Sequence, residues 1–242
     1  MDAGGGGGEN LPPATDETLS EPTRAAWDEH WDAIRPGASL FGRVAALVRK
    51  HVLSRAVARY ADRFLGGTGP LLEAGCGSGQ SSARIRVPGR PRIALDYSSA
   101  ALLGARAVPV FDVLLQGDVV RLPFRDASIR GVWNLGVMEH FDEATGLRIL
   151  GEFRRVLMPG GHVVLFWPPS FGSSRIALAP VERLRSLLRG KAVRFFPDEV
   201  NRLSSRAHAR RLLAAAGLEP CRIDFSVRDL FIHVVAVGRR PE

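Results

Sequence analysis

The run LLEAGCGSGQ, residues 71–80, constrains this chain more than any other feature. An apolar strand runs through Glu73 into Gly75, Gly77 and Gly79 at alternate positions, and a helix is expected next, over residues 79–85. Glycine lets the backbone turn tightly and approach a ligand without side-chain collision, while a helix N-terminus offers free backbone N–H groups. Such a loop holds part of a nucleotide-like molecule or serves only as a turn. The next strand ends in Asp96, about twenty residues on, where a carboxylate can accept both hydroxyls of a ribose. Loop and acid together read as adenosine-nucleoside binding. The spacing Gly75-x-Gly77-x-Gly79 departs from the G-x-G-x-x-G fingerprint of dinucleotide sites: position 80 is Gln, and no helix glycine admits a pyrophosphate. A ligand without phosphates fits better.

Around this loop strand and helix alternate. Strands are expected over 70–74, 92–96, 113–116, 131–135 and 162–167, and helices over 99–106 and 143–157, the last stopped by Pro159-Gly160-Gly161. A helix over 204–216 and closing strands over 222–227 and 231–237 complete an α/β fold, a doubly wound, Rossmann-like sheet of seven mostly parallel strands. Residues 1–23 combine a glycine run, prolines and little apolar content, so they read as a disordered tail that cannot offset the entropy of ordering. Residues 24–65 read as an N-terminal helical lid in two helices divided by Pro36 and Gly37. Residues 66–242 read as the main domain, with an insertion at about 168–203 after the fifth strand that acts as a second lid.

Charge and cysteine content add weaker limits. A formal charge of +8 favours anionic partners, but Lys50 and Lys191 are the only lysines, and a surplus of arginine also serves solubility. No stretch of about 18 uncharged apolar residues occurs, and MDAGGGGGEN lacks the basic start and apolar block of a secretory signal, so a cytoplasmic protein is expected. Cys76 and Cys221 are expected to be free thiols, and no metal site is expected.

Four ordered motifs sharpen the reading. EAGCGSG, LDYS, GDVVRLPFRDASIRGVWNLGVMEHF and EFRRVLMPGGHVVLFWP resemble successive motifs of class I S-adenosylmethionine-dependent methyltransferases, of the type 11-like, small-molecule group that includes the ubiquinone/menaquinone enzymes. The resemblance runs continuously over residues 71–167. It implies S-adenosylmethionine as cofactor, with the loop of Gly75, Gly77 and Gly79 at the methionine moiety and Glu73 orienting the loop or the ammonium group. Asp96 would grip the ribose hydroxyls. Asp118 would accept from the adenine amino group, with the Val119 backbone at the ring edge and Leu122 or Tyr97 on its faces. Leu135 and Gly136 would approach the methionine end.

Methyl transfer from a sulfonium needs orientation and water exclusion more than catalytic side chains. Glu139 and His140 follow the fourth strand, on the rim where parallel sheets build their sites, and His140, with a reference pKa of about 6.5, can take an acceptor proton. The same pair can instead cap the next helix or shape the cofactor pocket. Trp27, Trp31, Trp167 and Arg175 are the candidate substrate-lid residues, with His30, Phe171, Phe195 and Phe196 nearby in sequence. An aromatic, basic lid suits a small-molecule or lipid-like acceptor, an anionic one included. The amphipathic stretch 174–191 suits peripheral contact with an anionic membrane or a solvated basic face. Two alternatives remain: an RNA methyltransferase, and a noncatalytic nucleoside-binding protein of the same fold. Nucleic acid is the less expected partner, because the fourth strand ends in NLGV and not in the Asn/Asp-Pro-Pro-Tyr/Phe element of amino-directed nucleobase enzymes.

Overall fold

Strand β1 (Leu71–Ala74) is buried along its whole length, as a strand covered on both faces must be. The computed structural model describes residues 23–33, 40–172 and 200–242. In these, β1 pairs in parallel with β2 (Arg92–Asp96) and β4 (Ile129–Leu135). Beyond them lie β3 (Val113–Gln116) on one side, and β5 (Leu157–Trp167), β7 (Val234–Arg239) and β6 (Glu219–Phe225) on the other. The order is β3-β2-β1-β4-β5-β7-β6, with β7 antiparallel to both neighbours. The chain moves outward from β1 through β3, then returns to β4, so strand order reverses between β1 and β4. A crevice at the carboxyl ends of strands is the expected ligand position for such a switch.

Helices cover both faces. On one, α3 (Ser54–Phe64) sets Val57, Tyr60 and Ala61 against Trp133, Phe166 and Val235. On the other, α5 (Glu143–Val156) places Ile149, Leu150, Phe153 and Val156 at helical spacing over Leu72, Leu165 and Trp167, joined by Leu212 and Leu213 of α6 (Arg206–Ala215). Asp142 caps α5 by accepting from Thr145 N at 2.6 Å. Helix α4 (Ser99–Ala105) bridges β2 and β3 and is capped by Ser98. Upstream, α1 (Arg24–Ala33) packs on α4, while α2 (Leu40–Val48) runs through a wide turn, Arg49–Leu53, into α3.

Tyr60 fastens α3 to the antiparallel edge, donating from its hydroxyl to Asp224 Oδ2 at 2.6 Å. Tyr60→Phe is expected to cost about 1–2 kcal/mol, a partly solvated hydrogen bond to a charged group, and to lower the urea midpoint without altering ligand affinity. An unchanged midpoint would refute that assignment.

Four expectations need correction. The helix after the glycine loop is a single tight turn, Gln80–Ser82; the β-branched residues and Pro88-Gly89 that follow give it nothing to propagate into. Pro159-Gly160-Gly161 lies inside β5, because Leu157 is already extended and the glycines form an irregularity opposite β4. The closing strands sit at 219–225 and 234–239, since the apolar stretch 230–232 belongs to the connecting turn. Trp167, expected in a lid, is a core residue with 2% exposure, its Nε1 donating to Asn201 O at 2.9 Å. The expected helix break at Pro36 and Gly37, the tail up to residue 22, and Arg175, Phe195, Phe196 and the 174–191 stretch lie outside the described residues.

Candidate functional site

The loop after β1 is tied to the end of β2 by three backbone donors, and a fourth, from Ser98, folds the residues after β2 back onto Asp96. Gly75 N and Cys76 N both donate to Leu95 O, at 2.7 and 3.0 Å, while Gly77 N and Ser98 N donate to the two oxygens of Asp96 at 2.7 and 2.9 Å. Asp96 is 8% exposed, and burial raises its pKa while the N–H bonds from Ser98 and Gly77 oppose that rise. Each oxygen has accepted one of these N–H bonds, which leaves lone pairs to receive hydroxyls.

Two glycines are required by shape. Gly75 has φ +76° and a methyl group there would lie 2.4 Å from Val137 Cγ2, on the segment leaving β4. Gly77 has φ +53° and a methyl would lie 2.4 Å from Cη2 of Trp31. A side chain at either position would meet both backbone strain and collision. Glu73, on the sheet face opposite Leu72, is fully buried beside Ser82 and Trp133; Trp133 Nε1 donates to Ser82 Oγ at 3.0 Å, and Glu73 Oε2 has no hydrogen-bond partner among the described residues. Burial pushes Glu73 up to about 8, with the Asp96 charge adding to the rise and Ser82 and Trp133 opposing it.

Helix α1 lies across this rim. Trp31 rests on Gly77, and Arg49 reaches over the indole at 5.8 Å. Trp27 meets His140 edge to face, centroids 4.8 Å apart, and His30 stands against both tryptophans. Asp28 accepts from Ser98 Oγ and from Ala100 N, and Arg24 stacks over Tyr97 at 4.6 Å. His140 is buried, which lowers its pKa to about 4, with the Arg202 charge assisting; His30 is lowered to about 4 by burial, then by Arg49 and His140. Glu139 Oε1 lies 3.9 Å from His140 Nε2, and the Glu139 carbonyl accepts from Val200 N and Asn201 N.

The sequence-derived residues thus fall into groups. Glu73, Gly75, Gly77, Gly79, Asp96 and Tyr97 gather at the ends of β1 and β2, while Leu135 ends β4 and Gly136, Glu139 and His140 follow it. Trp27 and Trp31 come down on them from α1. Asp118 is exposed, its Oδ1 accepting from Val120 N at 2.8 Å, and the side chains of Val119 and Leu122 are buried in the core beside Leu72 and Leu95. Asp28, Arg24, Arg49, Ser82 and Trp133 escaped the sequence reading. The one available signal was the acid inside WDEHWD, between two aromatics a turn apart.

A molecule with ribose hydroxyls and a cationic end suits these residues: a cradle only glycine can form, a carboxylate with spare lone pairs, and a buried carboxyl with an unpartnered oxygen. Comparison with known proteins agrees. A family model described as a methyltransferase domain matches residues 72–165. A malonyl-[acyl-carrier protein] O-methyltransferase of Erwinia pyrifoliae is 39% identical over 134 residues, 52% of this chain and 49% of that protein. Its counterpart in Erwinia billingiae is 37% identical over 133 residues, 52% of this chain and 51% of that protein. The chain therefore spans about half the length of these curated relatives. The magnesium protoporphyrin IX methyltransferase of Synechocystis, solved with bound S-adenosylhomocysteine, shares the fold at a TM-score of 0.59 with 16% identity, over 88% of this chain and 93% of that one. Motifs, strand order and matched relatives agree: residues 72–165 match a methyltransferase domain, set in a sheet whose strand order and motifs are similar to those of class I S-adenosylmethionine-dependent methyltransferases.

Proposed function

We propose that this chain methylates a small-molecule or lipid-like acceptor whose receiving group is already anionic at neutral pH, such as a carboxylate. The observation that carries the reading is the Gly77 N to Asp96 Oδ2 bond at 2.7 Å, which fixes the glycine cradle and the ribose-type acid as one unit. S-adenosylmethionine supplies an activated methyl group, so the protein's part is orientation and water exclusion. Asp96 holds the ribose hydroxyls, the loop of Gly75, Gly77 and Gly79 borders the methionine side, and Glu73 orients that loop from below. Asp118 and the Val119 backbone serve the adenine edge, Tyr97 one face of the ring, and Leu135 and Gly136 the methionine end. Of residues 24–65, α1 acts as a lid on the domain formed by 66–242, with 168–203 as its insertion, while α3 packs into the sheet layer; Trp31 lies over the cofactor loop and Trp27 over His140.

The anionic acceptor follows from His140. A histidine held near 4 is neutral at pH 7 and accepts hydrogen bonds, but it is too weak a base to deprotonate an alcohol or an ammonium efficiently. Beside Glu139 it positions an acceptor that needs no deprotonation. The names of the two Erwinia relatives place their methyl group on oxygen, which agrees with a carboxylate.

Calorimetric titration of S-adenosylhomocysteine into the chain is expected to show one saturable site, with a change in tryptophan emission because Trp31 rests on Gly77. Neither heat nor emission change in a folded sample would sink the proposal.

A further inference from the structure

The carboxyl rim of the sheet carries an exposed apolar surface that the cofactor site does not use. The β6–β7 turn lies on this rim, because Phe225 and Val234 pair with each other and Val234 pairs with Trp167 at the end of β5. In that turn Val227, Leu230 and Phe231 are 65%, 48% and 41% exposed. Leu230 and Phe231 both have positive φ, +60° and +56°, a conformation that non-glycine residues adopt only when their surroundings impose it. The turn imposes it through Leu230 N to Val227 O, Phe231 N to Ser226 O, and His233 held by the buried Asp229 through its backbone N–H and Nδ1. Leu230 is thereby left half exposed, and Phe231 packs on Phe225, centroids 5.1 Å apart, with the rest of its ring exposed.

The Arg49–Leu53 turn packs against residues 227–229. Just before it, Val44 and Leu47 of α2 are 51% and 58% exposed and share a helical stripe with the exposed Arg43 and Lys50. Arg228 is exposed in the β6–β7 turn. No acid occurs in residues 40–53, and the only one in 226–233, Asp229, is buried against His233. Apolar side chains are therefore set among cations, with no exposed carboxylate in these two segments.

We propose that this surface docks the chain onto an anionic lipid bilayer, with Leu47, Leu230 and their neighbours entering the headgroup region and Arg43, Lys50 and Arg228 meeting lipid phosphates. Shallow apolar insertion combined with cationic contacts is the general physics of peripheral membrane binding. The inference extends the lipid-like acceptor reading, yet it stands or falls on its own measurement.

The test is co-sedimentation of the full chain with phosphatidylcholine vesicles, with and without phosphatidylglycerol. The chain is expected to bind the phosphatidylglycerol vesicles, to release them as salt rises, and to leave pure phosphatidylcholine vesicles unbound. Reversing three charges, Arg43→Glu, Lys50→Glu and Arg228→Glu, should lower partitioning ~100-fold, and Leu47→Asp with Leu230→Asp should lower it at least ~10-fold. Unchanged S-adenosylhomocysteine titration in both variants shows that they fold. A chain that ignores anionic vesicles at low salt, variants that bind as the wild type does, or self-association through this face without vesicle binding would each overturn the proposal. A failed cofactor titration with intact vesicle binding would instead remove only the methyltransferase reading.

Discussion

Asp96→Asn is expected to weaken S-adenosylhomocysteine binding by about 10- to 150-fold, the equivalent of about 1.5–3 kcal/mol, while the chain stays folded. Both carboxylate oxygens receive backbone N–H groups, from Gly77 and Ser98, and both keep lone pairs for a ligand. An asparagine supplies one oxygen and one NH2, so in either orientation an N–H group faces another donor. The isosteric change is thus expected to be no milder than Asp96→Ala, contrary to what size alone suggests. The loop retains its Gly75 N and Cys76 N bonds to Leu95 O, so the chain should still fold, although the backbone donor left unpaired is expected to cost about 1–3 kcal/mol of stability. Calorimetry on the three proteins decides the matter. Wild-type affinity in Asp96→Asn would show that the carboxylate only staples the loop and makes no contact with the ligand.

What the sequence made legible follows from how local each signal is. The boundaries of β2 and β3 are read to the residue, and those of β1 to within one, because apolar runs bounded by turn residues carry their own punctuation. That the glycine loop and Asp96 share one end of the sheet is equally readable, since a fixed topology brings the ends of two consecutive parallel strands together, whereas the Gly77 N bond that joins them is not. Trp167 misleads for the opposite reason: a strand buried on both faces has no alternation, so an aromatic at its end looks as available to solvent as to the core. Phe231 and Ile232 resemble the start of a strand because side-chain type does not report the left-handed backbone that turns the chain there. Most of all, nothing local announces that α1 sets Trp31 on Gly77 or Asp28 on Ser98, partners about 46 and 70 residues away, since such docking depends on shape and not on pattern.

Glu73 gives the largest expected effect on stability. Its folded pKa, raised to about 8, lies above the unfolded value of about 4.3, so folding takes up a proton between these limits. The sign follows directly: the favourable contribution is full below about 4.3, declines as pH rises, and is lost by about 8, where the ionised carboxyl must sit in a fully buried site. At 1.36 kcal/mol per unit, the swing has an upper bound of roughly 5 kcal/mol. Glu73→Gln keeps the shape, stays neutral, and leaves Ser82 beside a group that can still hydrogen-bond. The variant should therefore match the wild type near pH 5 apart from a constant offset, exceed it increasingly toward pH 8, and hold a constant advantage above that. Urea unfolding of both proteins across this range reads the difference, and the global pH dependence they share cancels. A difference that stays flat with pH would mean that Glu73 is ionised in the folded chain throughout. Its carboxylate would then have to be matched by a donor or cation at the orphaned Oε2, and its role in orienting the loop would have to be argued as that of a charge.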